Sequence, residues 1–202
     1  MSTLIYVYDP MCSWCYGFRP TWKAILQGLP DGVTVQTRLG GLAPDSNTPM
    51  GDAMRDKLAA TWHRIESMCQ VSFDHGYWDQ RPNPPRSTYI AGRAVRAAQS
   101  MGLAEWDMVE AIQNAYYQSR ANVWDAKVLV EIAQNLGLEA DAFAAALEAI
   151  RAQHELEVRT TAQMGVTGFP SLVWEHKGEL GLLPIDYGQA QTTLAVIRQL
   201  ST

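Results

Sequence analysis

The two ends of this 202-residue chain carry β-strand patterns, while the long segment between them is helical. Residues 4–8 form a short apolar, β-prone run, and residues 33–39 alternate like a second strand, with a helical pattern between them. Near the other end, residues 170–175 and 178–183 are patterned as a β-hairpin, which a closing helix follows. Neither end is long enough to form a domain alone. We therefore expect both ends to join in one sheet, with the helical segment inserted.

The first third of the chain has the order strand, helix, strand. Asp9-Pro10 ends the first strand, and apolar residues then recur at steps of three and four from Cys15 to Leu29, so they share one helix face. Pro20 lies inside this helix and is expected to kink it. Two strands that a helix connects in this way should pair in parallel.

The interior of the chain predicts a series of helices. One pattern covers residues 52–68, and Asp141 has the residue type of a helix N-cap. Residues 71–86 contain a glycine and three prolines, Pro82 among them, so we expect a long loop there. The remaining predicted helices span residues 87–101, 104–119, 125–136 and 141–164, the last with a break near Arg151, and a closing helix spans residues 186–200.

Charge and hydropathy exclude several functions. The formal net charge is −5 and no run is rich in lysine or arginine, which argues against a nucleic-acid partner. No stretch approaches the roughly 18 apolar residues that suggest a membrane span. The N-terminal segment MSTLIYVYDP lacks the pattern of a secretory signal, so the sequence predicts a cytoplasmic protein. In that compartment a close cysteine pair is more often catalytic or metal-binding than structural.

Cys12 and Cys15 stand three positions apart in the segment DPMCSWCYGF, where the first strand gives way to the first helix. Residues three apart on a helix lie on one side, close enough for a disulfide. Cys12 falls where backbone N–H groups are unpaired and the helix dipole is positive, which stabilises a thiolate. Cys15 belongs to the buried stripe with Phe18 and Trp22. The spacing therefore favours a redox pair in which Cys12 attacks and Cys15 resolves the mixed disulfide.

Two other interpretations of the cysteine pair are possible. It could be half of a zinc site, but Cys69 and the four histidines provide no second pair with ligand spacing, so we expect no metal site. The cysteines could also be inert core residues, because free cysteine is often buried. The change from strand to helix at this point favours redox chemistry over both.

A second element, GVTGFPS, lies directly before the strand that begins near Pro170. Proline is tolerated at the first residue of a strand because no ladder donor is needed there. A cis peptide bond at Pro170 would turn the Phe169 backbone toward the cysteines and leave its polar groups free to pair with an incoming peptide. Together with the cysteine pair, this segment predicts a substrate-binding surface at Phe169 and Pro170.

As a pair, DPMCSWCYGF and GVTGFP resemble the active-site segment and the cis-proline loop of the DsbA-like branch of the thioredoxin superfamily. The chain resembles in particular the cytoplasmic, predicted dithiol–disulfide isomerase group, which is related to FrnE-type proteins and to 2-hydroxychromene-2-carboxylate isomerases. The resemblance implies an α/β, thioredoxin-like fold with a central mixed sheet. Residues 1–50 and 165–202 would form the thioredoxin-like domain, and residues 51–164 a large inserted helical domain.

The resemblance also implies a thiol–disulfide oxidoreductase or isomerase. Cys12 is then the nucleophile, Cys15 the resolving cysteine and Pro170 the cis proline. The implied substrates are proteins or small molecules that contain a disulfide or a thiol, with no cofactor beyond the cysteine pair and with glutathione possible as a co-substrate. The dipeptide Ser13-Trp14 is neither the Pro-His of the periplasmic oxidant nor the Gly-Pro of thioredoxin. Since this dipeptide tunes redox poise, the direction of electron flow stays open.

Besides the two cysteines, the candidate substrate-binding residues are Ser13, Trp14, Phe169 and Pro170. Trp14 should be partly exposed at the helix tip, where it contacts a substrate or covers the cysteine pair. Phe169 should make the floor of the binding surface bulky and apolar. Asp9 ends a strand before a proline, which fits turn chemistry better than proton transfer. Cys69 is expected to be a packed thiol at the end of a helix.

Two other functions fit the same fold. A glutathione-dependent isomerase or transferase, of the 2-hydroxychromene-2-carboxylate isomerase or kappa type, would activate glutathione instead of cycling its own cysteines. The presence of two cysteines instead of one serine argues against it. A non-catalytic adaptor would hold a partner in the groove around Pro170, because fold alone does not fix function.

Overall fold

The structure, a computed structural model, describes residues 2–81 and 83–201. Its sheet has the strand order β2-β1-β3-β4. β1 pairs in parallel with β2 and antiparallel with β3, and β3 pairs antiparallel with β4. Both ends of the chain therefore meet in one mixed sheet, as the sequence predicts. The strands are β1 (Ser2–Tyr8), β2 (Val33–Leu39), β3 (Ser171–His176) and β4 (Glu179–Leu183).

The central strand β1 is buried on both faces. Its residues alternate between the faces, so that Ile5 and Val7 pack with Val173 in a small cluster, while Tyr6 faces the helix α1 (Ser13–Gly28) and stacks on Trp22 at 4.4 Å between ring centroids. Pro20 lies inside α1, as expected. The last helix, α9 (Ala190–Leu200), packs against α1.

Helices fill the chain between β2 and β3. Glu105 fixes these helices to the sheet, because its carboxylate accepts hydrogen bonds from Tyr8 Oη (2.8 Å) and Thr37 Oγ1 (2.6 Å) and also binds Arg96. Arg96 binds Glu157 as well, which closes a half-buried network of charges between helices and sheet. The helices are α2 (Asp52–Met68), α3 (Gly76–Gln80), α4 (Tyr89–Ser100), α5 (Glu105–Ser119), α6 (Ala126–Asn135), α7 (Ala140–Ala149) and α8 (Arg151–Ala162).

Three local predictions are wrong, two within the helical segment and one at the closing helix. Residues 71–86 are not a continuous loop, since α3 forms where Tyr77 and Trp78 are buried against Trp62. This aromatic burial outweighs the nearby prolines, of which Pro82 lies outside the described residues. The N-cap of α7 is Glu139 rather than Asp141, because the Glu139 carboxylate accepts from the N–H groups that open the helix.

The closing helix begins later than predicted. Asp186 is not its first residue, because the Asp186 carboxylate accepts hydrogen bonds from the N–H groups of Gly188 and Gln189 and so holds a turn before the helix. The predicted break near Arg151 is confirmed, since α7 ends at Ala149 and α8 begins at Arg151. Across residues 2–81 and 83–201, every helix falls short of the length and apolar character needed to cross a bilayer.

Candidate active site

Cys12 and Cys15 lie one helical turn apart at the start of α1. The chain turns after β1, where the Cys12 N–H donates to the Asp9 carbonyl oxygen (3.0 Å). Cys12 is the N-cap of α1, with extended backbone, and its carbonyl accepts the hydrogen bond of the Tyr16 N–H (3.0 Å). The two thiols are buried, lie 3.6 Å apart and are not bonded. A small movement would bring them to disulfide distance.

The segment around Pro170 reaches the cysteines from the far end of the sequence. The Phe169–Pro170 peptide bond is cis. The Cys12 Sγ donates to the Phe169 carbonyl oxygen across 3.4 Å, so a backbone acceptor lies directly beside the outer thiol. The Phe169 ring packs on Gly40, where an added Cβ would lie 1.9 Å from the ring Cε1. Glycine at position 40 thus allows the ring to lie beside β2.

Ser13 and Trp14 lie next to Cys12, on the first turn of α1. Both line the pocket beside the cysteines, Ser13 buried and Trp14 half-buried. The Trp14 ring packs against Tyr187 at 4.8 Å between centroids, and the Arg64 guanidinium lies 5.7 Å above it. The structure thus gathers the sequence-predicted residues of the site at one place, although Pro170, which follows Phe169 through the cis peptide bond, does not itself line the pocket.

The surroundings of Cys15 favour its protonated thiol. Burial raises the pKa of Cys15 well above the usual range, and the neighbouring Cys12 raises it further. Burial also raises the pKa of Tyr6, whose side chain adjoins Cys15. Tyr117 Oη donates to the Met11 carbonyl oxygen (2.7 Å), which fixes the backbone just before Cys12. Cys15 is therefore a protonated thiol at neutral pH and loses its proton only during the reaction.

Asp9 organises the backbone around the cysteines. Its Oδ1 accepts from the Met11 N–H (2.8 Å), and its Oδ2 accepts from the Leu42 N–H and from Thr88 Oγ1, each at 2.7 Å. Burial raises the pKa of this carboxyl, while the hydrogen bonds from Leu42, Thr88 and Met11 lower it. Both oxygens are committed to these partners. The geometry therefore agrees with a turn-forming role for Asp9.

The pocket beside Cys12 has a volume of about 230 Å³ and two unlike sides. We call the residues from the start of α1, Leu42 and Phe169 the cysteine side. The helical side is formed by α2, α5 and the loop before α4, and among the described residues no carboxylate lines either side. Sequence reasoning missed the helical side, because no motif marks it. Its main members are Lys57, Leu58, Thr61, Trp62, Arg86 and Tyr116.

Cys69 lies at the C-cap of α2. It is buried, and its sulfur packs against the backbone of α1 at Gly17, where an added Cβ would lie 3.2 Å from the Cys69 Sγ. Burial raises the pKa of this thiol. The environment agrees with the prediction of a packed thiol.

The arrangement of strand, cysteine pair, helix and Phe169–Pro170 loop can be compared with known proteins. The family model of the DSBA-like thioredoxin domain matches residues 3–190. The chain belongs to this family. The resemblance seen in the sequence is therefore confirmed, as is the thioredoxin-like α/β fold with its helical insertion.

Solved structures of DSBA-like proteins superpose on almost the whole chain. The cytosolic disulfide reductase DsbM from Pseudomonas aeruginosa is 27% identical, with a TM-score of 0.80 and coverage of 98% of each chain. The same protein with GSH gives 27% identity, a TM-score of 0.77 and coverage of 99% of this chain and 100% of that one. A putative protein disulfide isomerase from Nitrosomonas europaea is 28% identical, with a TM-score of 0.78 and coverage of 99% and 95%.

A curated relative has a different role. The ClpXP adapter protein SpxH of Bacillus subtilis (strain 168) is 28% identical over 191 residues, which are 91% of this chain. The match spans 62% of the length of SpxH. The proteins to which this chain is similar therefore include one described as a cytosolic disulfide reductase, one described as a putative protein disulfide isomerase and one described as an adapter.

Proposed function

We propose that this chain is a thiol–disulfide oxidoreductase that acts through Cys12 and Cys15. The observation that carries the proposal is the pair of unbonded thiols, 3.6 Å apart at the N-terminus of α1, with the Cys12 sulfur beside the Phe169 carbonyl. Membership of the DSBA-like family supports a redox role in general. The similarity to a cytosolic reductase supports a cytoplasmic site of action.

In the reducing direction, the Cys12 thiolate attacks one sulfur of a substrate disulfide. A Cys12–substrate disulfide forms, and the other substrate sulfur leaves as a thiolate. The Cys15 sulfur then attacks the Cys12 Sγ, so the Cys12–Cys15 bond forms, the mixed disulfide breaks, and the Cys15 proton passes to the departing substrate thiolate. The substrate gains the two electrons that the cysteine pair loses. An external dithiol, or two molecules of glutathione, returns the pair to the thiol form.

The pocket indicates which substrates fit. A protein disulfide can present one extended strand to the Phe169 backbone, as the sequence predicts for this surface. Lys57 and Arg86 put two cations on the helical side of a pocket that no carboxylate lines among the described residues, which favours anionic thiols. Glutathione carries two carboxylates, and a related protein has been solved with GSH. We therefore propose glutathione as a co-substrate, and no other cofactor.

The test is the reduction of insulin disulfides with a dithiol as the electron source. We expect Cys12→Ser to lower the rate by about 100-fold or more, because serine does not form the mixed disulfide. Cys15→Ser should leave Cys12 trapped in a mixed disulfide that intact-mass measurement detects. Cys69→Ser is the matched control and should keep its rate. Full activity in Cys12→Ser would sink the proposal.

The direction of electron flow follows from one further measurement. Equilibration of the Cys12–Cys15 couple with glutathione buffers gives its reduction potential. A strongly reducing value means a reductase, and an intermediate or oxidising value means an isomerase or oxidase.

A second candidate function is that of a non-catalytic adaptor, which the similarity to SpxH favours. An adaptor would use the pocket surface around Phe169 without breaking bonds. The Cys12→Ser/Cys15→Ser double variant distinguishes the two candidate functions. An oxidoreductase loses its disulfide exchange, whereas an adaptor has no exchange activity to lose and retains its partner with unchanged affinity.

A further inference from the structure

A group of three polar side chains lies on the outer face of α2, apart from the cysteine pair. His63 and Glu66 are three residues apart on this helix, so their side chains share one face. The His63 Nδ1 lies 3.8 Å from the Glu66 Oε2, and the His63 side chain is 69% exposed. Two potential metal ligands are thus already side by side, and solvent can reach them.

The chain after α2 folds back and brings a third ligand to this face. The Phe73 N–H donates to the Glu66 Oε1 (2.7 Å), and the Phe73 ring stacks on Trp62 at 4.9 Å between centroids. These contacts anchor the loop and place His75 over the helix, where its Nε2 lies 2.9 Å from the Glu66 Oε2. Oε1 is occupied by the backbone, so Oε2 is the oxygen that remains for a ligand.

The two imidazole rings lie face to face. Their centroids are 3.9 Å apart and their planes differ by 8°. The His63 Nδ1, the Glu66 Oε2 and the His75 Nε2 all lie within 4.8 Å of one another. The His75 Nδ1 is buried and meets no hydrogen-bond partner among the residues that the structure describes, whereas the His75 Nε2 donates to the Glu66 Oε2. A metal ion would take the place of the proton between these two atoms. Because a metal bonds in the plane of an imidazole ring, the exposed His63 ring would turn out of the stack to reach the same ion.

We propose that His63, Glu66 and His75 form a binding site for a divalent metal ion of the zinc type. Two imidazole nitrogens and one carboxylate oxygen are ligands that Zn²⁺ accepts, and three protein ligands leave a fourth position for water. Magnesium and calcium, which take oxygen ligands, fit this set poorly. The bound ion would replace the single Glu66–His75 hydrogen bond with a link between α2 and the loop. This link would lie behind Trp62, which lines the pocket beside Cys12.

This proposal reverses an expectation from the sequence, which predicts no metal site. The spacing rules look for ligand pairs close in sequence, and here the third ligand arrives from a loop nine residues beyond Glu66. The proposal stands independently of the redox function, because none of its ligands contacts Cys12 or Cys15.

The experiment measures zinc binding by competition with a chromophoric chelator. Thiols also bind zinc, so the host is the Cys12→Ser/Cys15→Ser/Cys69→Ser variant. We expect one equivalent of Zn²⁺ to bind. His63→Ala and His75→Ala should each weaken binding roughly 10-fold or more, because each removes one of three ligands. Glu66→Gln should weaken it too, while keeping an oxygen for the Phe73 N–H.

The control is His176→Ala, since His176 lies on β3, outside the cluster, and its loss should leave zinc affinity unchanged. A second readout is thermal unfolding. Zinc should raise the unfolding midpoint of the host protein that carries all three ligands and should not raise that of His63→Ala, because only the intact folded site binds the ion. His63 is exposed, so this variant folds. Absence of zinc binding in the thiol-free host, or equal binding in all three ligand variants, would overturn the proposal.

Discussion

The two sides of the pocket beside Cys12 differ in kind. The cysteine side combines the turn that carries Cys12 with the Phe169 segment from the far end of the sequence, and its decisive contact is one hydrogen bond from the Cys12 Sγ to the Phe169 carbonyl. The helical side consists of long side chains, including Lys57 and Arg86, in front of the buried Trp62. Under the proposed function, the first side would exchange bonds and the second would recognise the substrate. Catalysis and selectivity can therefore vary separately in this fold.

Asp9 joins the two sides. Through its two oxygens it binds Met11 on the cysteine side and Thr88, just before α4, on the helical side. A buried carboxylate thus fixes the position of the start of α4 relative to the cysteine pair. Any change that weakens the packing of α4 should therefore alter the geometry of the pocket through the contact between Asp9 and Thr88.

Acid should destabilise the protein through a histidine that is buried among the helices, and this is the largest effect we expect. His154 in α8 packs against Gly92 and Tyr89 of α4. Burial lowers the pKa of His154 from its ordinary value of 6.5 to about 4. The unfolded chain therefore takes up the proton first as pH falls. The stabilisation is complete above about pH 6.5 and is lost toward pH 4, a difference of roughly 3 kcal/mol in the free energy of unfolding.

Urea unfolding at pH 7 and pH 4 measures this difference. His154→Leu removes the titrating ring and should flatten the pH dependence, whereas His176→Asn should keep the dependence of the parent protein. If the His154→Leu protein lost stability with acid as steeply as the parent, the burial of His154 would not be the cause.

The next effect concerns the cysteine side. Gly40→Ala would place a methyl group within the Phe169 ring, at 1.9 Å from Cε1, so either the ring or β2 must move. We expect a loss of about 2 kcal/mol in stability, as for other overpacked sites. Disulfide reduction should slow as well, because the Phe169 carbonyl moves away from Cys12. Chemical denaturation and the insulin assay measure both effects.

A double variant tests the cause of this loss. Adding Phe169→Ala to Gly40→Ala should recover part of the stability, since the methyl group then finds space. Gly181→Ala is the matched control, because an added Cβ there meets no atom within 4 Å in the part of the chain that the structure describes. Independent, additive costs of Gly40→Ala and Phe169→Ala would show that the two residues do not interact as described.

The two sides also differ in how far the sequence predicts them. The order strand, cysteines, helix is local, because a run of five apolar residues and a spacing of three fix it, and the structure reproduces it. Phe169 and Cys12 are 157 positions apart in the sequence. Their contact was predictable only because two segments typical of one family occur together in this chain. The parallel pairing of β1 and β2 followed from the helix between them.

The helical side could not be predicted in this way. Lys57 and Arg86 lie on amphipathic or irregular segments that resemble ordinary solvent-exposed surface in the sequence. Their position at the pocket depends on how α2 and the loop before α4 pack against α1. The same is true of His75, which aromatic burial of the neighbouring Phe73 brings to Glu66. Such contacts depend on tertiary packing, which local patterns do not encode.

The smallest effect we expect tests the charge of the helical side. Lys57→Gln/Arg86→Gln removes the two cations that line the pocket. The catalytic efficiency kcat/KM for glutathione disulfide should fall about 10-fold, or about 1.4 kcal/mol, because an anionic substrate loses its attraction to the site. Added salt should reduce the difference between the variant and the parent protein. An uncharged disulfide such as oxidised mercaptoethanol should react equally with both proteins.

Lys177→Gln is the matched control for this change, because Lys177 lies in the turn between β3 and β4 and also carries one exposed positive charge. It should leave both substrates unaffected. An equal loss for charged and uncharged disulfides would mean that Lys57 and Arg86 support the shape of the pocket, so that recognition would not depend on charge. A loss confined to the anionic substrate would assign recognition to the helical side and leave bond exchange to the cysteine side.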